Sequence, residues 1–117
     1  MSFHTDLPYL NYALDIIEDI EKSIENVSKD KFLKEKDIRD ANIRRIEIIG
    51  EVIKNLSINI TKEYESVAWE EIARIKDNIA NRYFGIDFNI IWEILKNDIP
   101  VFKSQILKIK KDLEKNK

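Results

Sequence analysis

The stretch LPYLNYALDIIEDIEKSIENV (residues 7–27) decides the fold class, because its apolar residues recur every three or four positions. That spacing predicts an amphipathic helix with one apolar stripe facing a core. The stripe consists of Leu7, Leu10, Leu14, Ile17, Ile20, Ile24 and Val27. Charged residues fill the opposite side of the helix. The pattern breaks after Val27, where Ser28 is placed to act as the N-cap of the next helix.

A second long helix is predicted from Lys29 to Asn55, with a bend near residues 34–36. Its apolar stripe is clear in the second half, but the line continues toward the N-terminus through Asn42 and Arg45. A polar pair on an otherwise buried line indicates an interface or a site. Gly50 lies inside this helix, where it costs about 1 kcal/mol relative to Ala, and close helix packing is the simpler interpretation.

Two more helices follow a connector, residues 56–68, which has room for one helical turn at residues 61–64. The third long helix is predicted from Trp69 to Phe84, with Gly85 as its left-handed C-cap. Asp87 is placed to cap a fourth helix, and Pro100 should kink or briefly break that helix rather than end it. The apolar line that crosses this proline consists of Phe88, Trp92, Leu95, Ile99, Phe102, Ile106, Ile109 and Leu113.

Composition indicates one all-α domain spanning residues 1–117. Its 117 residues suit one domain with a core, and 44% hydrophobic with 36% charged residues are typical of a chain that folds. Two Gly and two Pro are too few for the turns of sandwiches and barrels or for a Gly-rich phosphate loop. Four long helices with short connections predict an up-and-down bundle of four to five helices.

Residue counts also exclude several kinds of site. Without cysteine, the chain has no disulfide, thiolate zinc site or cysteine nucleophile. The one histidine, His4, lies near the N-terminus and is interpreted as a solvated residue. Glu18, Glu21 and Glu25 are interpreted as a solvated helix face. We therefore predict neither a metal nor a cofactor.

Hydropathy and charge set the expected location and partners. The N-terminus has no signal-peptide pattern, and no run approaches the ~18 apolar residues of a membrane span. We expect a cytoplasmic protein with no membrane contact. The formal net charge of −2 provides no global field that attracts nucleic acid, so RNA would have to bind a local cluster of Arg and Lys.

The third helix carries the densest group of polar residues that could bind phosphate. They are Arg74, Lys76, Asp77, Asn78, Asn81, Arg82 and Tyr83. At ~100° per residue, Arg74 and Asn81 fall on nearly the same face, and Lys76 and Tyr83 share a neighbouring one. One ligand could contact all four only at a seam. The alternative is an exposed helix face whose cations pair with Asp and Glu.

Two runs of sequence resemble HepT-like proteins of the HEPN superfamily in order, spacing and detail. They are RDANIRRIEIIGEVIKNL (residues 39–56) and WEEIARIKDNIANRYFGIDFNIIWEILKNDIPVFKSQI (residues 69–106). The most specific parts are Ile-Gly-Glu at residues 49–51, Tyr-Phe-Gly-Ile-Asp at residues 83–87 and Ile-Trp-Glu at residues 91–93. The resemblance covers most of the chain. It implies a HEPN-type bundle that forms a homodimer, with an RNA-cleaving cleft where the third helices of both subunits meet.

The family carries an Arg, four residues, a His, one residue and a Tyr, and those positions here are Lys76, Asn81 and Tyr83. Asp77 matches the polar residue that often follows the Arg. The implied reaction is metal-independent RNA cleavage, which needs a proton acceptor and a cation on the developing charge. Asn81 cannot titrate and Lys76 lacks the planar fork of Arg, so we expect a poor nuclease or none. Arg74 offers a partial substitute for the cation.

The resemblance further implies that a minimal nucleotidyltransferase antitoxin adenylylates Tyr83, which would repel and block RNA. Arg45 and Arg82 are candidate RNA phosphate contacts. Three interpretations of the altered motif stay open: a natural degenerate member, a deliberate inactivation, and a branch that uses another base. The alternative function is an impaired module that binds a nucleotide or the nucleotidyltransferase through the same cleft. A purely structural helical adaptor is the third possibility.

Overall fold

The computed structural model describes residues 3–81 and 86–115, and gives the backbone alone for residues 3–5 and 76–81. In chain order its elements are α1 (Phe3–Ile24), α2 (Lys29–Lys34), α3 (Lys36–Lys54), α4 (Ile58–Glu63), α5 (Trp69–Asn81), α6 (Phe88–Glu93), a π-helical turn (Ile94–Asp98) and α7 (Ile99–Lys115). These two ranges contain no strand. The predicted all-α class is confirmed.

Within those ranges, four long helical units form the bundle: α1, α3, α5 and the continuous run from α6 to α7. Helix α3 packs against both α1 and α5, and α1 also packs against α7. The least accessible side chains of the core come from all along the chain and include Leu10, Ile17, Ile20, Phe32, Ile46, Ile49, Ile60, Leu95, Phe102, Ile106 and Ile109. Gly50 is buried on α3, as close helix packing requires. No described helix has the length and apolar character to cross a membrane.

The junction between α1 and α2 follows local sequence rules. Asn26 has a φ of 60°, a left-handed conformation that Asn adopts more readily than most residues, and the helix has ended two residues earlier. Ser28 then accepts a hydrogen bond from the backbone N–H of Lys31 at 3.1 Å. The predicted N-cap is therefore confirmed.

The predicted helix from Lys29 to Asn55 is wrong as a continuous element, because the structure divides it at Glu35 into α2 and α3. Glu35 is extended, with φ −93° and ψ 98°. The break leaves carbonyls of the last turn of α2 without helical donors, and Arg39 Nη1 donates to one of them, Leu33 O, at 3.0 Å. The bend that the sequence predicted near residues 34–36 is thus a one-residue interruption.

The connector contains more helix than the sequence predicted, since α4 spans Ile58–Glu63. Ser57 is its N-cap and accepts from the backbone N–H of Ile60 at 3.3 Å. The same serine is tied to α1: its backbone N–H and hydroxyl donate to the Asp6 carboxylate at 2.8 and 2.5 Å. Asp6 is fully buried, so this contact fixes the start of α1 against the start of α4.

The fourth helical unit begins at the predicted cap and remains helical past the predicted kink. Asp87 accepts from the backbone N–H of Asn89 at 2.9 Å. The irregularity is a π-helical turn before Pro100, in which the N–H of Ile99 donates to Ile94 O. A proline ring clashes with the carbonyl four residues earlier, and a wider turn relieves that clash. The apolar line stays in phase, with Leu95, Ile99 and Phe102 among its buried members.

Candidate functional site

Helix α5 carries most of the candidate residues, and its start is firmly anchored. The indole N–H of Trp69 donates to Tyr64 O at 3.0 Å. The Trp69 ring also meets Phe102 edge to face, with centroids 6.0 Å apart. From this anchor the helix continues to Asn81, so residues 74, 76, 77 and 81 lie in one helical register. Positions 74 and 81 are therefore only about 20° apart around the helix axis, as predicted.

The start of α6 lies against the beginning of α3. Phe88 starts α6 seven residues after Asn81, and its ring lies 4.2 Å from the guanidinium carbon of Arg39 on α3. Helices α3 and α5 pack against each other. Asn42 and Arg45 therefore lie on a helix that neighbours α5.

The predicted site residues differ in how far the structure describes them. Arg74 is exposed and pairs with Glu70 at 3.4 Å, with side chains 66% and 86% exposed. An exposed pair one helical turn apart contributes little to stability. The positions of Lys76, Asp77 and Asn81 are on α5, but their side chains lie outside the described atoms. Arg82 and Tyr83, like the predicted end of the helix at Phe84 and its C-cap Gly85, lie outside the described residues.

The polar pair on α3 has a defined geometry. Asn42 is fully buried, and its Nδ2 donates to Ser23 Oγ at 3.0 Å and to Ile38 O at 2.9 Å. Its Oδ1 accepts from Arg45 Nη1 at 3.2 Å. Arg45 is half-buried. Asn42 therefore joins α1 to α3 and holds the guanidinium of Arg45 at the same time.

Arg39 is a residue of this region that the sequence reasoning did not single out. It lies one turn before Asn42 on α3, donates to Leu33 O and contacts the Phe88 ring. Its buried Nε has no partner among the described residues. In the sequence, Arg39 lies three residues before Asn42, a spacing that places both on one face of the helix and could have indicated its role. Arg39, Asn42 and Arg45 together form a polar series along the N-terminal half of α3.

A groove of about 530 Å³ runs between α5 and the α6–α7 unit. Its apolar walls include Ile72, Ile75, Ile90, Ile94, Val101 and Phe102. Ile90 is 58% exposed and Val101 is 59% exposed, which is high for large apolar side chains. This groove was not predicted from the sequence. The sequence could have indicated it, because Ile90 and Val101 are large apolar residues that do not belong to the buried apolar line of their helical unit.

A second groove, of about 690 Å³, lies between the end of α1 and the π-helical turn and is lined by acidic residues. Glu18 pairs with Lys22 at 3.0 Å, and Glu21 pairs with Lys103 at 2.8 Å. The hydrogen bond to Glu18 raises the pKa of Lys22 above its usual value. Nowhere in the described residues do three His, Asp or Glu side chains group so that they could hold a metal ion.

Comparison with known proteins identifies the family. A family model described as "Ribonuclease HepT-like" matches residues 13–109, which is most of the chain. The chain belongs to the HepT-like ribonuclease family. The match includes α3, α5 and α6, the elements that carry the two resembling runs. No solved structure matches the chain.

Several relatives of this HepT-like chain are named as ribonucleases. A Methanocaldococcus jannaschii protein named "Gamma-glutamylcyclotransferase and putative RNase" is 46% identical over 109 residues, which cover 93% of this chain and 49% of the relative. The chain thus spans about half the length of that relative. A second M. jannaschii protein, named "Putative RNase", is 38% identical and covers 88% of both chains. "Probable ribonuclease HepT" of Thermococcus cleftensis is 35% identical, covering 88% of this chain and 94% of the relative.

Proposed function

We propose that this HepT-like chain is the toxin component of a toxin–antitoxin pair, built on the scaffold of a metal-independent endoribonuclease. The observation that carries the proposal is the motif on α5. The helix is continuous through Asn81, so Lys76, Asp77 and Asn81 keep the spacing that the family uses for its Arg, polar residue and His. Membership of a ribonuclease family and relatives named as RNases support it.

The proposed active form is a homodimer in which the α5 helices of two copies meet. The apolar groove beside α5 supports this arrangement, because Ile90 and Val101 are large apolar side chains left exposed in one copy. A second copy of the chain would bury them. RNA would then lie in the seam, where each subunit contributes the motif positions of its α5.

The proposed chemistry is attack of a ribose 2′-hydroxyl on the adjacent phosphate, which forms a 2′,3′-cyclic phosphate and breaks the P–O5′ bond. The 5′-oxygen of the next nucleotide leaves and takes up a proton. A base removes the hydroxyl proton, and a cation stabilises the charge on the phosphate oxygens. Lys76 retains the cation but cannot offer two parallel hydrogen bonds to phosphate. Asn81 can orient a hydroxyl but cannot accept its proton, so we expect the chain to cleave RNA weakly at most. Arg74 and Arg82 are the proposed additional cations, and Arg45 is the proposed phosphate contact on α3.

We propose that Tyr83 is the point of control. A minimal nucleotidyltransferase partner would transfer AMP from ATP to its hydroxyl oxygen and release pyrophosphate. The new phosphodiester carries negative charge and bulk next to the motif, so it would repel an RNA phosphate. Incubation with the partner and ATP should add one or more adenylate masses to the chain, and the Tyr83→Phe variant should gain none. Equal labelling of both proteins would contradict this assignment.

The test of the catalytic proposal restores the family motif. We predict that the Lys76→Arg, Asn81→His double variant cleaves RNA about 10²- to 10⁴-fold faster than the wild-type chain, which is the usual contribution of general acid–base catalysis. The measurement is the rate of cleavage of a labelled single-stranded RNA in the presence of a chelator. The double variant should also arrest growth on expression, while the wild-type chain should do so weakly.

A matched control moves the histidine to a non-motif position on the same helix. Lys76→Arg combined with Asn78→His places an imidazole on α5 but out of the family spacing, so it should not gain activity. Equal rates in the wild-type chain and the restored variant would show that position 81 is not the acid–base position.

The second candidate function is a non-catalytic module that binds a nucleotide or the nucleotidyltransferase through the same cleft. The absence of a titratable side chain at Asn81 favours it. It predicts tight binding of ATP, AMP or the partner by the wild-type chain, and no cleavage by the restored variant. A structural adaptor would bind none of these, nor RNA.

A further inference from the structure

We propose that Asn42 is a positioning residue that holds the guanidinium of Arg45, on a helix that packs against α5, for contact with an RNA phosphate. The inference rests on the proposed function, because it assumes that RNA passes along α5. It goes further by naming a residue that touches no RNA and acts through another side chain. The contacts that carry it are on α1 and α3, and all of them are described.

The orientation of the Asn42 amide is fixed by its partners. Nδ2 donates to Ile38 O, a carbonyl that can only accept, at 2.9 Å. Oδ1 accepts from Arg45 Nη1, which can only donate, at 3.2 Å. Exchanging the nitrogen and oxygen of the amide would lose both hydrogen bonds. The amide oxygen is therefore committed to the guanidinium.

Burial strengthens the preference of the Asn42 amide oxygen for the Arg45 guanidinium. Asn42 is 0% exposed, so no bulk water competes for its Oδ1. A buried carbonyl oxygen that loses its donor pays a desolvation penalty, which disfavours any rotamer of Arg45 that swings away. A side chain that would otherwise sample many rotamers is thus held in one direction before a ligand arrives. Such preorganisation lowers the entropic cost of binding a phosphate.

The neutrality of Asn42 matters as much as its position. Asn42 is neutral, so it orients Arg45 without cancelling its positive charge. No described carboxylate pairs with Arg45, whereas Arg74 is paired with Glu70 and Lys103 with Glu21. A guanidinium has five N–H donors, and Asn42 uses one of those on Arg45. The others can form the paired hydrogen bonds that arginine makes with phosphate.

A purely structural interpretation would have Asn42 join α1 to α3 through Ser23, with Arg45 as a bystander. A double-mutant cycle separates the two, because it asks whether the effect of Asn42 depends on Arg45. The probe is a labelled single-stranded RNA oligonucleotide of mixed sequence, and its affinity is measured by fluorescence anisotropy. The proteins are the wild-type chain, Asn42→Leu, Arg45→Ala and the double variant.

We expect Arg45→Ala to weaken RNA binding about 10-fold and to reduce the salt dependence of log affinity by about 0.7, the contribution of one phosphate contact in single-stranded RNA. Asn42→Leu should weaken RNA binding about 3-fold, because Arg45 keeps its charge but its guanidinium is no longer held in one direction. The double variant should bind as Arg45→Ala does. Ser23→Ala is the matched control: it removes the tie to α1 but leaves the contact with Arg45, so it should retain wild-type affinity.

A second measurement needs neither a variant nor RNA. Nitrogen NMR of the wild-type chain reports rotation of the Arg45 guanidinium about its Nε–Cζ bond, and the proposal predicts slow rotation. Free rotation would overturn it. An equal loss of RNA affinity from Asn42→Leu in both Arg45 backgrounds would overturn the positioning role alone. A wild-type chain that binds no RNA would instead overturn the proposed function and this role with it.

Discussion

Asn81 lies at the end of α5, at the position that we propose corresponds to the histidine of the family motif. The two side chains have similar reach but different chemistry, because only the imidazole titrates near neutral pH. The fold alone does not determine whether a HepT-like chain cleaves RNA. We propose that cleavage depends on the side chains at positions 76 and 81, and restoring the family residues there separates the scaffold from its chemistry.

Tyr64 provides a prediction about pH. Burial, followed by its hydrogen bond to Asp112 at 3.0 Å, raises the pKa of Tyr64 to about 12. The pKa of a tyrosine in the unfolded chain is about 10. The folded chain therefore favours the protonated phenol of Tyr64 more than the unfolded chain does. The resulting stabilisation is complete below about pH 10 and is lost as the pH rises toward 12. The free energy of unfolding, measured by urea denaturation, should fall over this interval.

The Tyr64→Phe variant is the control for that measurement, because it removes the titrating hydroxyl and keeps the ring. Its free energy of unfolding should be lower than that of the wild-type chain at neutral pH, and the difference should shrink above pH 10. A constant difference between the two proteins from neutral pH to pH 12 would show that Tyr64 titrates alike in the folded and unfolded states.

Two contacts between elements determine how the long helices are joined, and each gives a stability prediction. Asp6 is buried and accepts both hydrogen bonds from Ser57. We predict that Asp6→Ala lowers the free energy of unfolding by about 2 kcal/mol, because it leaves two donors of the half-buried Ser57 without their acceptor. Denaturation of Asp15→Ala, an exposed aspartate on the same helix, should differ from wild type by about 0.5 kcal/mol at most. Similar losses of unfolding free energy in both variants would show that the Asp6–Ser57 contact does not stabilise the fold.

Arg39 is the second such contact, since it joins α2, α3 and α6 through Leu33 O and the Phe88 ring. Arg39→Ala should cost about 1–2 kcal/mol of unfolding free energy, from one charge-assisted hydrogen bond and one cation–π contact. Arg44→Ala removes an exposed arginine from the same helix and should have little effect. Thermal denaturation of the pair measures the difference. Two curves that coincide would show that Arg39 does not hold the elements together.

The elements that the sequence predicted well are those fixed by local rules. Ser28 and Asp87 cap helices because a short polar side chain can reach backbone N–H groups two or three residues ahead. The apolar stripes also predicted the buried faces, because periodicity determines which side of a helix meets the core. Both kinds of signal lie within a few residues of the feature they describe.

The features that escaped prediction depend on residues far apart in the chain. Asp6 and Ser57 are 51 positions apart, so nothing local indicated that α4 would be tied to α1. The groove beside α5 exists because of how α6 and α7 pack. The break at Glu35 is an exception, because Arg39, which stabilises it, lies only six residues after its acceptor Leu33. At the candidate site, the sequence identified Asn42 and Arg45 as unusual but could not assign their partners. The roles of Lys76, Asn81 and Tyr83 remain predictions from the motif.

At the scale of the whole molecule, the bundle is flat. Its extents are 46 × 30 × 20 Å, and its radius of gyration of 14.7 Å exceeds the roughly 13 Å of a compact domain of this length. A thin bundle leaves large helix faces near the surface. The face between α5 and the α6–α7 unit is the one with exposed Ile90 and Val101, and it is the proposed dimer surface.

The dimer gives a prediction of its own. Val101→Glu places a charge in the apolar groove, so it should convert a dimer into a monomer at micromolar concentration. Leu107→Glu changes another exposed apolar residue of α7 that does not line the groove, and should leave the dimer intact. Sedimentation velocity measures both. A wild-type chain that is already monomeric, or a Val101→Glu variant that stays dimeric, would contradict the placement of the interface.

The most direct test of the proposed acid–base position is the pH dependence of RNA cleavage by the Lys76→Arg, Asn81→His variant. The single-turnover rate is measured with a chelator present. An imidazole acting as base must be neutral, so the rate should rise through a pKa of about 6.5 and leave 2′,3′-cyclic phosphate ends. The wild-type chain should show no such titration. A restored variant that does not cleave, or that cleaves only when metal is supplied, would contradict the proposed metal-independent acid–base role of position 81.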